Sequence, residues 1–298
     1  MKTLKSTLLL LLALSIAIPM QAYDFKFEGI CYKINSDGTT VYATYEQKGM
    51  PSYSFIPLEI DFPSKVTFGG KTYTVTAIGD SAFWGCDVIM SFTLSPTIKS
   101  IGDKAFYNCQ GIKNIYIPPT VRDMQTEVFA MCKSLQHACL NHTPYSSYLD
   151  GSDNMGWGIF NSCTALESVT IGPNIKKMTG YEFSNCTNLS EVICLGDYAP
   201  TAQSSSFNNL PKDKIYIHVP VGCKSSYLSH GWTGFSHLIE DLPTPSNKGD
   251  LNTDGKVNVS DVATLINIIL GINLTVHPVG SPSMATIPPS PLIGPLKT

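Results

Sequence analysis

A phenylalanine recurs through the middle of this 298-residue chain at almost fixed spacing, and that beat decides what the chain can fold into. Phe83, Phe106, Phe129, Phe160, Phe183 and Phe207 are separated by 23, 23, 31, 23 and 24 residues. Cys86, Cys109, Cys132, Cys163 and Cys186 each follow three residues later, and Leu210 stands after the sixth. The 31-residue interval equals one period plus an eight-residue insertion. A period in the low twenties predicts a solenoid, because one such unit cannot bury its apolar side except against its neighbours.

Residues in fixed phase with the phenylalanine describe the unit. Six residues on stand Ile89, Ile112, Leu135, Leu166 and Leu189. Nine residues on come Phe92, Ile115, Ala138, Val169 and Val192, and eleven on come Leu94, Ile117, Leu140, Ile171 and Cys194. The last two sets alternate with polar residues, which predicts a short strand with one buried face. Pro96, Pro118 and Gly172 end it, since proline offers the ladder no donor. Ile98, Val121 and Ile175, then Ile101, Met124 and Met178, predict a second inward segment before the phenylalanine returns.

The same phase defines what points outward: Ser91 and Thr93, Asn114 and Tyr116, His137 and Cys139, Ser168 and Thr170, Glu191 and Ile193. On a curved solenoid this row is an extended recognition face. Asn114, Tyr116, His137 and Thr170 are its candidate partner contacts, and Cys139 is expected to be the outward-facing thiol. The insertion after Leu140 carries His142, Tyr145, Tyr148, Asp150, Asp153 and Trp157, an aromatic-rich loop able to join that surface.

There are nine cysteines, and five of them share one repeat position. Equivalent side chains in stacked turns lie parallel, so this phase predicts a buried ladder of small residues rather than a disulfide framework. Lys2 and Lys5, the apolar run from Leu8 to Ile18, and Met20-Gln21-Ala22 form the pattern of a secretory signal peptide. The run is too short for a comfortable membrane span. A net charge of −3 gives no electrostatic case for nucleic acid or an anionic membrane as partner.

The run Ile101-Gly102-Asp103-Lys104-Ala105-Phe106-Tyr107-Asn108-Cys109, with Ile112, Ile115, Ile117 and Pro118, resembles the BspA-type leucine-rich repeat. Gly70 to Gly79 resembles that family's β-rich entry segment, and Val219 to Trp232 its irregular closing cap. The pattern departs at Met124-Gln125-Thr126, where the Ile-Gly pair is missing, and at Phe207, where cysteine is absent. The resemblance implies a leucine-rich repeat solenoid, a surface or secreted location, and adhesion or protein binding to a host or surface protein or glycan. It does not imply catalysis.

Beyond a proline-bearing linker lies Asp250-Leu251-Asn252-Thr253-Asp254-Gly255-Lys256-Val257-Asn258-Val259-Ser260-Asp261. Side-chain oxygens of Asp250, Asn252, Asp254, Asn258 and Asp261, with the Lys256 backbone carbonyl, fall at the loop positions that ligate Ca²⁺. Gly255 permits the turn that converges them. Val262, Leu265, Ile266, Ile269 and Leu270 then keep helical spacing. Loop and helix together resemble one half of a type I dockerin, which implies docking to a cohesin-like module with Val259 and Ser260 at the contact. A dockerin has two such units and only one is present here. A truncated second half, pairing with another molecule, or packing on the solenoid cap are the alternatives.

The expected organisation is therefore a leader at 1–22, a β-rich entry at 23–79, and repeats with their cap at 80–240. A linker at 241–247, a small helical calcium-loop module at 248–275 and a proline-rich disordered tail at 276–298 complete it. No HExxH, GxSxG, phosphate-cradling glycine loop or CxxC pair is present, and the six histidines are scattered. The expected function is non-enzymatic binding by a secreted or cell-surface protein. The alternatives are an accessory, non-catalytic subunit of a cohesin–dockerin polysaccharide-degrading complex, and an adhesin whose dockerin remnant is vestigial.

Overall fold

The computed structural model describes residues 22–144 and 156–242. Six strands precede the first repeated phenylalanine: β1 (Phe25–Phe27), β2 (Ile30–Ile34), β3 (Thr40–Thr44), β4 (Glu59–Phe62), β5 (Lys65–Phe68) and β6 (Lys71–Ile78). The first three form an antiparallel meander, and β3 then pairs in parallel with β6. Strands β5 and β6 form a hairpin closed by Gly69 and Gly70, whose φ values of 58° and 77° belong to the left-handed region that a two-residue hairpin turn requires.

The repeats supply β7 (Ser91–Leu94), β8 (Ser100–Ile101), β9 (Asn114–Ile117), β10 (Asp123–Met124), β11 (His137–Leu140), β12 (Ser168–Ile171) and β13 (Glu191–Cys194). The cap adds β14 (Tyr216–Pro220), the short helix α1 (Lys224–Ser229) and β15 (His237–Leu242). Strands β9, β11, β12, β13, β14 and β15 make one parallel sheet, while β4 and β7 pair in parallel beside it. Ile115, Ala138, Val169, Val192 and Ile217 stand in register on its inner face. The second inward segment builds the other wall, where Ile78, Ile101 and Met124 align through β6, β8 and β10. Met124 thus keeps the register although its Ile-Gly pair is missing.

The turn carrying the phenylalanine closes each unit. Ring centroids of Phe83, Phe106, Phe129, Phe160, Phe183 and Phe207 follow one another at 5.1, 5.5, 6.0, 6.0 and 5.2 Å. Tyr53 stacks on Phe83 at 5.4 Å, and Trp232 meets Phe207 edge-on at 5.6 Å, so both ends of the column are aromatic-capped. Burial of each phenylalanine contributes about 1.5–3 kcal/mol. The cap is pinned by buried polar atoms: Trp232 Nε1 donates to the Pro200 carbonyl at 2.7 Å, and the Tyr227 hydroxyl to Gly196 at 2.8 Å.

Each turn is also bonded to the next. The N–H groups of Lys104, Phe106 and Asn108 donate to the carbonyls of Thr126, Val128 and Ala130 at 2.9 Å. To aim alternate N–H groups in one direction, residues two before and two after the phenylalanine take positive φ, as at Lys104 (55°), Asn108 (58°), Glu127 (53°) and Met131 (64°). Asparagine and glycine tolerate that region best, which explains Gly85, Asn108, Asn185 and Asn209 at the second of these positions.

The Gly-Asp pair before each early turn has its own reason. Asp80 Oδ1 accepts the Asp103 N–H at 2.9 Å, and Asp103 Oδ1 accepts the Thr126 N–H at 2.8 Å. A Cβ on Gly102 would lie 2.3 Å from Asp80 Oδ1 and 2.6 Å from the Asp80 backbone nitrogen. Gly102→Ala is expected to destabilise the protein by about 1–3 kcal/mol. Met131→Asn, which relieves a left-handed methionine, is expected to stabilise it by about 0.5–1 kcal/mol. Urea unfolding of the two variants should give opposite shifts, and equal shifts would refute this account of the turn.

Candidate recognition face

The outer surface of the parallel sheet consists of two rows set by register. One holds Asn114, His137, Ser168, Glu191, Tyr216 and His237; the other holds Tyr116, Cys139, Thr170, Ile193, His218 and Ile239. Neighbouring strands stand about 4.8 Å apart, so each row is a rigid array of side chains. Ser91 and Thr93 are exposed on β7, where Thr93 donates to Asp61 Oδ1 at 2.6 Å. Asn114 is exposed and Tyr116 is 38% accessible. His137 is half-buried, with Nδ1 2.9 Å from the Ser168 hydroxyl.

Two expected surface residues are not on the surface. Cys139 is fully buried and Thr170 is 4% exposed. Tyr116 stands beside Cys139 in register and hydrogen-bonds the Asn141 side chain, just past the end of β11. Cys139 thus stands in mid-sheet with Tyr116 on one neighbouring strand and Thr170 on the other. Burial pushes the Cys139 thiol up to about 12. The Tyr116 hydroxyl is also raised by burial, an effect its bond to Asn141 opposes.

The repeated cysteines are buried as the phase predicts, but they also bond. Cys109, Cys132, Cys163 and Cys186 donate their thiols to the carbonyls of Phe83, Phe106, Phe129 and Phe160 at 3.0–3.1 Å. Desolvation raises these thiols, to about 12 at Cys132 and Cys186 and well above the ordinary value at Cys109 and Cys163. All nine cysteines are free thiols, and Cys223 is the half-buried one.

Sequence phase missed a cluster at the cap end of the face, because one extra residue between Phe207 and β14 puts the inward Ile217 ten residues after the phenylalanine, where Val192 stands nine after Phe183. His218 Nδ1 lies 2.8 Å from Asp241 Oδ2, and its Nε2 lies 3.5 Å from Glu191 Oε1. Tyr216, 45% exposed, stacks on His237 at 4.3 Å. Among the described residues no group of three or more His, Cys, Asp or Glu side chains is arranged to hold a metal ion. Of the insertion, His142 is buried and Trp157 packs its ring 5.2 Å from Tyr181, away from the strand face. Tyr145, Tyr148, Asp150 and Asp153 lie outside the described residues, as do Asp250, Asn252, Asp254, Lys256, Asn258, Asp261, Val259 and Ser260.

A family model for the BspA type leucine rich repeat region, in six copies, matches residues 64–151 and 145–225, more than half of the chain. The chain belongs to the BspA-type leucine-rich repeat family. Among solved structures it is similar to a leucine-rich repeat protein from Bacteroides ovatus, at 20% identity and TM-score 0.37 over 66% of this chain and 65% of that one. It is also similar to the leucine-rich repeat protein of T. pallidum, at 21% identity and TM-score 0.47 over 72% and 100%. A third is a leucine rich cell surface protein from Faecalibacterium prausnitzii, at 20% identity and TM-score 0.37 over 62% and 57%. The chain thus spans just under two thirds of the B. ovatus protein and little more than half of the F. prausnitzii one. No curated protein matches it. No helix among the described residues is long and apolar enough to cross a membrane.

This geometry fixes an order of thiol reactivity. In a pulse of iodoacetamide on the native protein, Cys223 is expected to label first, and the eight buried thiols only after unfolding. Peptide mass spectrometry reads the order directly. Native labelling of Cys139 together with Cys223 would show that the face does not bury the Cys139 thiol.

Proposed function

We propose that this leucine-rich repeat protein is an exported, non-enzymatic recognition protein that binds a protein partner through its strand face. The observation that carries the reading is the face itself. Six parallel strands hold two rows of mixed polar side chains in fixed register, with Tyr116 and Tyr216 exposed among them. Tyrosine on a rigid backbone is a favoured anchor at interfaces, because it supplies apolar area and one polar atom for little lost freedom. The rows carry no repeated charge, which favours a specific protein surface over a polyanion.

The second part of the proposal concerns residues 248–275. Asp250, Asn252, Asp254, Asn258 and Asp261, with the Lys256 carbonyl, form a Ca²⁺ loop, and the segment then docks on a cohesin-like module. Support comes from the oxygen spacing in the sequence and the glycine at its sixth position. The alternative reading is an accessory, non-catalytic subunit of a cohesin–dockerin polysaccharide-degrading complex, assembled through the same docking.

Both parts are testable on the full chain. Calorimetric titration with Ca²⁺ is expected to give one site that Asp254→Ala abolishes, and capture on an immobilised type I cohesin should need the metal. No heat of Ca²⁺ binding would remove the docking reading. For the strand face, the Tyr116→Ala/Tyr216→Ala double variant is expected to reduce retention on epithelial cells about tenfold. Unchanged retention would remove this face as the contact surface.

A further inference from the structure

A second concave site lies on the side of the solenoid that carries the phenylalanine turns, where the entry segment meets the first turn. It has a cavity of about 220 Å³, lined by Tyr45, Gln47, Lys48, Gly49, Asp80, Ser81 and Trp84. Two structural devices build it. The loop after Tyr45 is tied to the turn by the Ser52 N–H, which donates to the Trp84 carbonyl at 2.8 Å, and is closed on itself by Gln47, whose amide nitrogen donates to the Pro51 carbonyl at 3.2 Å. Asp80 and Ser81 sit at the tight bend of the first turn, where Ser81 holds φ of 53° and Asp80 spends Oδ1 on the Asp103 N–H.

What remains free in the cavity is chemically mixed. Lys48 and Asp80 make no ion pair among the described residues, and the Ser81 hydroxyl has no hydrogen-bond partner there. Two aromatic rings, Tyr45 and Trp84, form apolar walls, and Trp84 is braced edge-on by Tyr107 at 6.0 Å. The Trp84 N–H is shielded from water and has no acceptor among the described residues, so it is a donor left unspent beside the cavity.

The geometry points to a binding site for a single sugar residue, such as the terminal unit of a glycan. One cation and one carboxylate cancel in charge, so a neutral ligand is matched better than an anion or a cation. Hydroxyl groups both donate and accept, and so satisfy a lysine ammonium, a carboxylate oxygen and a serine hydroxyl together. A pyranose also has a face of C–H bonds that lies well against the negative face of an aromatic ring. A zwitterionic amino acid would use the same two charges, but Lys48 and Asp80 are exposed, and exposed ion pairs contribute little. The aromatic walls therefore decide the class. This site is separate from the strand face and does not depend on how that face is used.

The test uses the full chain and the side-chain N–H resonances of its three tryptophans, Trp84, Trp157 and Trp232. The probes are the methyl glycosides of glucose, galactose, mannose and N-acetylglucosamine, with L-leucine as the zwitterion. At least one glycoside is expected to shift the Trp84 signal saturably in the millimolar range. Trp232, buried in the cap, and Trp157, exposed on a later turn, should stay still. Lys48→Ala, and Asp80→Asn, which keeps the oxygen that caps Asp103, should each weaken the effect about tenfold without altering the other two signals. The proposal is overturned if no glycoside moves Trp84, if only leucine does, or if Trp157 moves in parallel.

Discussion

Everything in this molecule depends on how one phenylalanine-bearing turn is locked onto the next. Three interactions do it at once. Backbone N–H groups on alternate residues donate forward to the following turn, as from Phe106 to Val128 at 2.9 Å. The cysteine of the following turn donates its thiol back to the phenylalanine carbonyl, as from Cys132 to Phe106 at 3.1 Å. The rings stack at 5.1–6.0 Å between them. The turn lies in the interior edge of the solenoid, where an unpaired carbonyl is costly, so a small side chain with a weak donor suits this position. A larger apolar residue would leave the carbonyl unmatched.

That lock determines where recognition can occur. Once the turns are in register, the strands at the other wall are in register too, and their outward residues become rows instead of a scatter. Rows of this kind are where repeat proteins bind. The lock also sets the ends. Tyr53 and Trp232 close the aromatic column at its two ends, and the loop that delivers Tyr53 forms one wall of the sugar-sized cavity at Asp80, Ser81 and Trp84.

Much of this was legible from spacing. The inward residues of strand and second segment, the stop at proline, and the burial of the repeated cysteines follow from a fixed period and the alternation of apolar residues. The donor role of the thiol did not follow, because a buried cysteine reads the same whether or not its S–H finds a carbonyl. The outward set failed in part at Cys139 and Thr170. Period-two alternation says which way a side chain leaves the strand, but it does not say how far neighbours in register on the strands to either side, Tyr116 among them, will crowd a small side chain such as Cys139. The His218 cluster was missed for a simpler reason: the stretch from Phe207 to β14 is one residue longer than in the earlier repeats, so counting from the phenylalanine lands beside the outward positions of β14. The cavity joins residues of the entry segment to the first turn, and no local pattern announces a contact between such distant stretches.

The account rests on the phenylalanine column being a scaffold and not a site. Phe129 is the sharpest place to test it, since it stacks on Phe106 and Phe160 at mid-array. Equilibrium urea unfolding of Phe129→Ala, followed by tryptophan fluorescence, is predicted to show a loss of about 3–5 kcal/mol relative to the parent chain. A variant with the parent's unfolding midpoint and slope would contradict it.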